Sequence, residues 1–340
     1  MAYQYIYGSD TMEAATRKIN ENFLDIPTSE SITAEAVAEA KEYTDSVVSN
    51  PNMLINGDFQ VWQRGTSFTS TASALVYTAD RWVVGGVNDG KTHTITQDTD
   101  GSIKVNPNGG YTNLRQVIEN VQSLRGREVT LSVMAKGNRT DGNRTALQLF
   151  LMNGTISSTT FFAQDQNITV SNDEYELFQI TGTVPDDAEN ITVRLYIYTF
   201  NVINIKYVKL EVGNIATPLS PRSYAEELAD CYRYFYKLNT TNTGIPSLGA
   251  AVMRTATLCL PTLWLPTAMR AVPTIDYSGF QALIDSSLVP IDSIAIQACA
   301  GQNISLRITL SENSTIGKAV FIQGTNSGEN NLTLDADIFS

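Results

Sequence analysis

NMLINGDFQVWQRGTSFTSTASALVYTADRW, residues 52–82, is the stretch on which the reading of the chain turns. In its first half Leu54, Asn56, Asp58, Gln60 and Trp62 alternate with Ile55, Phe59, Val61 and Gln63. The alternation is imperfect around Gly57, which predicts an opening strand carrying a bulge or bend. Trp62 and Trp82 bracket a loop rich in Ser and Thr. An aromatic at each end of a polar loop is expected to be a core pair of a β-sandwich in preference to a ligand platform.

Outward from this stretch, residues 53 to about 220 keep a period of two. Val129, Leu131, Val133 and Ala135 alternate with Thr130, Ser132, Met134 and Lys136, and the pattern returns at Leu147, Leu149 and Leu151 and at Ile191, Val193, Leu195 and Ile197. Between these segments stand turn signals such as Asn108-Gly109-Gly110, Asp141-Gly142-Asn143, Asn153-Gly154 and Pro185-Asp186-Asp187. Half-buried strands joined by short turns, with no helix-length gaps, predict a two-sheet sandwich of jelly-roll type over residues 51–222.

Ser223 and Glu226 form a capping box after Pro221, which predicts a short helix. Beyond it Tyr232, Tyr234 and Tyr236 alternate with Arg233, Phe235 and Lys237 as a strand would. Strand candidates at 248–260, 293–300, 303–310 and 319–323, punctuated by Pro261, Pro266, Pro273 and Pro290, predict a second, smaller β-sandwich over 223–340. The fold class is therefore mainly β, with short N-terminal helices ahead of two sandwiches.

Those helices occupy residues 1–50. Met12, Ala15, Ile19 and Phe23 share one face of the first, with Asp10 available as its N-cap. In the second, Val37, Ala40, Thr44 and Val47 fall at alternating spacings of three and four, a short seam too small-sided to hold a coiled coil alone. The segment carries nine acidic and three basic side chains, which suits either docking on a basic partner or a solvated helical face.

With Asp and Glu at 35 against 23 Lys and Arg, a formal net charge of -12 excludes a nucleic-acid partner, because phosphate binding needs a basic face. It disfavours an anionic membrane likewise. No run of about 18 apolar residues and no charged-then-apolar leader is read, so membrane insertion is not expected and synthesis in the host cytoplasm is. Cys231, Cys259 and Cys299 are odd in number and far apart, as buried small hydrophobes are in a reducing compartment. The single histidine, His93, sits in DGKTHTITQ without a nucleophile elbow and is expected on a solvent-facing strand position. No catalytic residues are assigned, and the chain is not read as an enzyme.

Three strings carry a family resemblance. INGDFQVWQRGTSF with YTADRW, residues 55–68 and 77–82, resembles the opening of a module in bacteriophage tail-fibre and virion appendage proteins. KLEVGNIATPLSPRSYAEELADCYRYFYKL, 209–238, looks like the exit from that module, and LPTAMRAVPTIDYSG, 265–279, is similar to a turn of the C-terminal domain in the same proteins. The resemblance implies a structural subunit of the virion, a tail fibre or baseplate-associated fibre. It implies a homotrimer with Val37, Ala40, Thr44 and Val47 on the axis, and attachment to other virion proteins by residues 1–50 through Met12, Ile19 and Phe23. A head fibre and a freestanding carbohydrate-binding module are the alternatives.

The sandwich layout also resembles carbohydrate-binding jelly rolls, which implies a host cell-surface glycan as partner. In such folds the first and last strands lie close together, so Asp58 and Glu211 are candidates to share a calcium ion. Sugar faces stack on exposed flat aromatics, and Trp264, Tyr277 and Phe280, in or near proline-rich loops, are the candidates. Trp264, set between Leu263 and Leu265, is equally a candidate for burial.

Overall fold

The computed structural model describes residues 11–14, 16–17, 34, 36–37, 39, 49–71, 74–85, 89–138, 145–171, 174–198, 202–238, 246–325 and 330–337. The chain forms two compact units, Met1–Asn50 with Thr217–Leu219, and Pro51–Ala216 with Ser220–Ser340. In the first unit residues 12–14 and 16–17 are helical, and the hydroxyl of Thr11 accepts from the Ala14 amide at 3.2 Å. Asp10, expected as the N-cap, lies outside the described residues. Met12 and Val37 are exposed; Ile19, Phe23, Ala40, Thr44 and Val47 lie outside the described residues. The Asn50 amide donates to the Thr217 hydroxyl at 3.0 Å, joining both segments of this unit.

The second unit begins with a jelly roll. Its strands are β1 Ser67–Thr71, β2 Leu75–Tyr77, β3 Val83–Gly85, β4 Thr92–Gln97, β5 Ile103–Asn106, β6 Tyr111–Glu119, β7 Glu128–Asn138, β8 Thr145–Asn153, β9 Phe161–Val170, β10 Glu176–Thr183, β11 Asn190–Tyr198 and β12 Val202–Val212. One six-stranded sheet runs β1-β4-β5-β12-β7-β10 and the other β2-β3-β6-β11-β8-β9. From β5 to β8, and again from β9 to β12, each strand crosses to the opposite sheet. Alternate residues therefore meet between the layers: Leu131, Val133 and Ala135 of β7, Leu147, Leu149 and Leu151 of β8, and Ile191, Val193, Leu195 and Ile197 of β11 share one core with Phe59 and Trp82. The alternation read from the sequence is this burial.

The expected opening strand is a turn instead. Residues 54–58 have turn geometry, and Asn56 and Phe59 take φ of 56° and 57°, the left-handed region that breaks a strand. The segment still docks beside β12: Met53 donates to the Leu210 carbonyl at 2.8 Å, and Val208 donates to Gly57 at 2.8 Å. Trp82 is buried against Phe59 at 5.2 Å, whereas Trp62 is half-buried and stacks on Phe68 at 6.3 Å. The two tryptophans do not form the expected pair with each other.

The helix Tyr224–Tyr232 starts on the predicted capping box, with Ser223 and Glu226 each satisfying the other's backbone. It continues through Tyr232, so the strand expected from there begins only at Phe235. The second sandwich follows: β13 Phe235–Lys237, β14 Ser247–Val252, β15 Leu258–Cys259, β16 Thr262–Trp264, β17 Thr274–Ser278, β18 Phe280–Ile284, β19 Ser287–Ala300, β20 Asn303–Leu310, β21 Ala319–Gly324 and β22 Asn331–Asp335. A three-stranded sheet β13-β22-β17 faces a seven-stranded one in which β15 and β16 both pair with β20. Pro290, expected at a strand end, lies inside β19, where that strand leaves β18 for β20. A residue without an amide is tolerated at such a change of partner.

An ionic junction joins the sandwiches, and the 52–82 stretch builds it. Buried Asn56 donates its side-chain amide to the carbonyls of Val61 and Asp80, accepts from the Val61 amide, and gives its own backbone N–H to Glu227 of the helix at 2.6 Å. Arg81 donates to Asp337 at 2.5 Å and lies over the Tyr234 ring at 3.5 Å. Arg64 donates to Asp335 at 3.1 Å and Asp337 at 2.9 Å over the Phe235 ring. Arg270, from the AMRAVPT string, reaches back to Glu119 of β6 at 2.7 Å. Burial raises the Asp80 carboxyl to about 6, against the opposing pull of Arg64 and Gln63.

Candidate functional site: an aromatic and cationic sheet face

The inward positions of β6, β8 and β11 are committed to the core, so their intervening residues line the opposite face of the second sheet. Strand pairing sets them in rows. Val83, Arg115, Arg194, Phe150 and Gln164 stand in register across β3, β6, β11, β8 and β9. Asn113, Tyr196 and Gln148 form the next row. Tyr111 packs on Tyr196 at 5.8 Å and Phe150 on Phe161 at 5.1 Å, and the Arg194 guanidinium lies over both Phe150 (4.7 Å) and Tyr196 (5.3 Å). At one side Val83, Val117 and Ile156, with Tyr77 against them, form a small apolar wall.

The polar groups of this face are only partly spent. Arg115, 7% exposed, donates to the carbonyls of Ile156 at 3.1 Å and Gly85 at 2.5 Å, while its Nε has no partner. The Nε of Arg194 and the Oδ1 of Asn113 are also buried without partners. Burial and the neighbouring Arg194 bring Arg115 down to about 10, so it stays cationic at neutral pH. Phe150 is itself buried, so the rings open to a ligand are the half-buried Tyr111 and Tyr196 and the exposed Phe161; flat rings beside unspent donors suit a sugar, whose apolar faces stack while its hydroxyls take hydrogen bonds.

Away from this face, a concavity of about 340 Å³ lies between the 62–65 turn and the helix, lined by Trp62, Tyr224 and Tyr232 among others. Its polar capacity is largely used internally. Gln63 donates to the Phe235 carbonyl at 2.9 Å and accepts from the Lys237 amide at 3.3 Å, and the Trp62 indole donates to the Phe59 carbonyl at 2.6 Å.

The residues singled out from sequence fall elsewhere and apart. Trp264 is 70% exposed on β16, Tyr277 is half-buried against the core in the three-stranded sheet, and Phe280 on β18 is in the core of the second sandwich. Phe280 is thereby corrected: it shares its face with Ala282 and Ile284, both core residues, and offers no ring to a ligand. The calcium pairing is corrected also. Glu211 is fully buried 3.2 Å from the Lys209 ammonium, whose charge already neutralises it. Asp58 instead accepts from Gln60. Among the described residues no three His, Cys, Asp or Glu side chains converge as a metal site. His93, expected to face solvent, is fully buried and bonds Asp89 at 3.0 Å, because it shares the inward face of β4 with Ile95.

Arg115, Arg194, Tyr111, Tyr196, Phe150 and Phe161 were missed by sequence reasoning. The available signal was an arginine breaking each of two apolar alternations, TNLRQVI and ITVRLYI. Only the register of β6 with β11 sets the two side by side.

Fold and face together define an antiparallel jelly roll with an aromatic, cationic outer sheet, coupled to a smaller sandwich. No family model and no curated protein matches the chain. Among solved structures, it is similar to TmCBM61 in complex with β-1,4-galactotriose (11% identity over 48% of this chain and 99% of that one, TM-score 0.30). It is similar to the CBM22-1–GH10 modules of Clostridium thermocellum xylanase 10B complexed with xylohexaose (16%, 48% and 29%, TM-score 0.30). A further likeness is to the enzymatically active domain of bacteriophage CBA120 tailspike protein 4 (18%, 48% and 21%, TM-score 0.29).

Proposed function

We propose that this chain is a structural subunit of a bacteriophage virion appendage, a homotrimeric tail fibre or baseplate-associated fibre. Residues 1–50 attach it to other virion proteins, and the outer sheet face of its jelly roll takes a host-surface glycan. The observation that carries the binding part is the half-buried Tyr196 ring with the Arg194 guanidinium stacked between it and the buried Phe150, beside buried donors that have no partner among the described residues. The appendage part is supported by the three family-like strings and by the order of helices and then sandwiches along the chain.

The test is a glycan array probed with the full-length protein, Tyr196→Ala and Trp264→Ala. Taking the about 1–3 kcal/mol that a base-stacking ring contributes as the scale for a stacked sugar, loss of the ring should cost about fivefold to about 150-fold in affinity. Tyr196→Ala is expected to lose binding on that scale while Trp264→Ala retains it. The reverse result moves the site to the edge strand β16. Light scattering on a sizing column reports the trimer, and a monomeric full-length protein refutes the fibre assignment.

A further inference from the structure

Arg115 and Arg194 are a pair that the rest of the protein does not explain. Their Cα atoms are partners in the β6–β11 ladder, so two guanidiniums stand directly opposite each other, an arrangement that destabilises a sheet. Every other arginine among the described residues that is not exposed has a carboxylate: Arg64 has Asp335 and Asp337, Arg81 has Asp337, Arg222 has Glu227 and Asp230, and Arg270 has Glu119. Arg115 and Arg194 have none within ion-pair distance, in a chain whose acidic residues outnumber its basic ones by 35 to 23. A shielded guanidinium without a counter-charge is costly.

Geometry indicates what would offset that cost. The Arg194 guanidinium lies over the Phe150 and Tyr196 rings and Arg115 is fixed by two carbonyls, so neither is positioned by an acid of its own among the described residues. Each keeps a buried Nε–H unspent. A planar guanidinium presents a fork that matches an oxyanion with two parallel hydrogen bonds, and aromatic stacking pre-sets its orientation. Of the two rings against Arg194, Phe150 is buried and Tyr196 half-buried, so Tyr196 is the ring left for the sugar face.

We propose that the glycan taken by this face is anionic, its carboxylate or ester-linked sulfate or phosphate supplying the missing charge at Arg194 and Arg115. This rests on the sheet-face site of the preceding section and names its ligand class. A neutral sugar would leave the like-charge pair uncompensated.

The test uses the full-length protein on an array of hyaluronan, alginate, polygalacturonate, and sialylated, sulfated and phosphorylated oligosaccharides. Each is set beside its carboxyl-reduced, desulfated or dephosphorylated counterpart. Binding is expected for an anionic member, and neutralising that member or introducing Arg194→Gln should weaken it about tenfold or more, the scale of a charge-assisted hydrogen bond. Which counterpart loses binding tells carboxylate from ester. Arg194→Lys, which keeps the charge but not the fork, should recover part of the loss. Arg194→Gln should melt no lower than the parent, since it relieves the like-charge pair. Equal binding of neutral counterparts, or no effect of Arg194→Gln on affinity, overturns the anionic ligand while leaving the site. Failure to bind any member, or binding indifferent to Tyr196→Ala, overturns the site itself.

Discussion

Replacing Asp337 with alanine removes the carboxylate on which two arginines of the jelly roll converge. Asp337 is 2% exposed, 2.5 Å from Arg81 and 2.9 Å from Arg64. The two arginines are not stranded equally. Arg64 keeps Asp335 at 3.1 Å, whereas Arg81 keeps no carboxylate within ion-pair distance among the described residues, only the Val117 carbonyl at 2.9 Å, the Tyr234 ring and the more distant charge of Glu119. Breaking one partner of a buried pair costs about 3–5 kcal/mol. With one cation stranded, the lower end, about 3 kcal/mol, applies, and at about 2–4 °C per kcal/mol for a large domain the melting temperature should fall by about 6 °C or more. Differential scanning calorimetry of the full-length protein at neutral pH is the assay. The lost coupling should also separate an earlier transition for the second sandwich from the melting of the jelly roll. Adding Arg81→Met to Asp337→Ala should recover part of the loss, because it removes the stranded charge. A loss below about 1 kcal/mol, the range of exposed pairs, would refute the reasoning by showing that water re-solvates Arg81 and the junction is wet.

Asp80 gives a pH dependence. Its carboxyl is raised from 3.8 to about 6, so its contribution to stability is fully present below pH 3.8 and is lost as pH rises through about 6. Carbon-13 titration should place its midpoint near 6, and Arg64→Gln should push it higher; an ordinary carboxylate midpoint would contradict the burial. Gly57→Ala should cost about 2 kcal/mol or more in urea unfolding, since an added Cβ would overlap the Asn52 amide and the Val208 carbonyl. An unchanged midpoint would show that the 52–57 turn does not dock on β12 this closely. If the proposed trimer holds, Val37→Asp should lower the native mass to that of a monomer, because three carboxylates would meet in its seam; an unchanged mass means the seam is misassigned.

The sequence by itself determined the β class, the strands of both sandwiches wherever apolar residues recur at a period of two, and the capping box at Ser223 and Glu226. These follow from local rules: alternation reports which side of a strand is buried, and a cap acts over three residues. Side-chain parity was also available for His93, which shares a face with Ile95, and for Phe280, which shares one with Ala282 and Ile284. What the alternation of residues 54–63 misreported was backbone, since Asn56 and Phe59 take left-handed φ and turn a strand-like pattern into a turn. Only the tertiary structure decided the candidate face. Arg115 and Arg194 are 79 positions apart by number, and their meeting is a matter of register between β6 and β11. The same holds for Arg64, Arg81 and Asp337, drawn from opposite ends of the chain into one junction. Register and docking are properties of the whole packed sheet, where a shift of one residue in β6 or β11 would turn Arg115 or Arg194 to the other face.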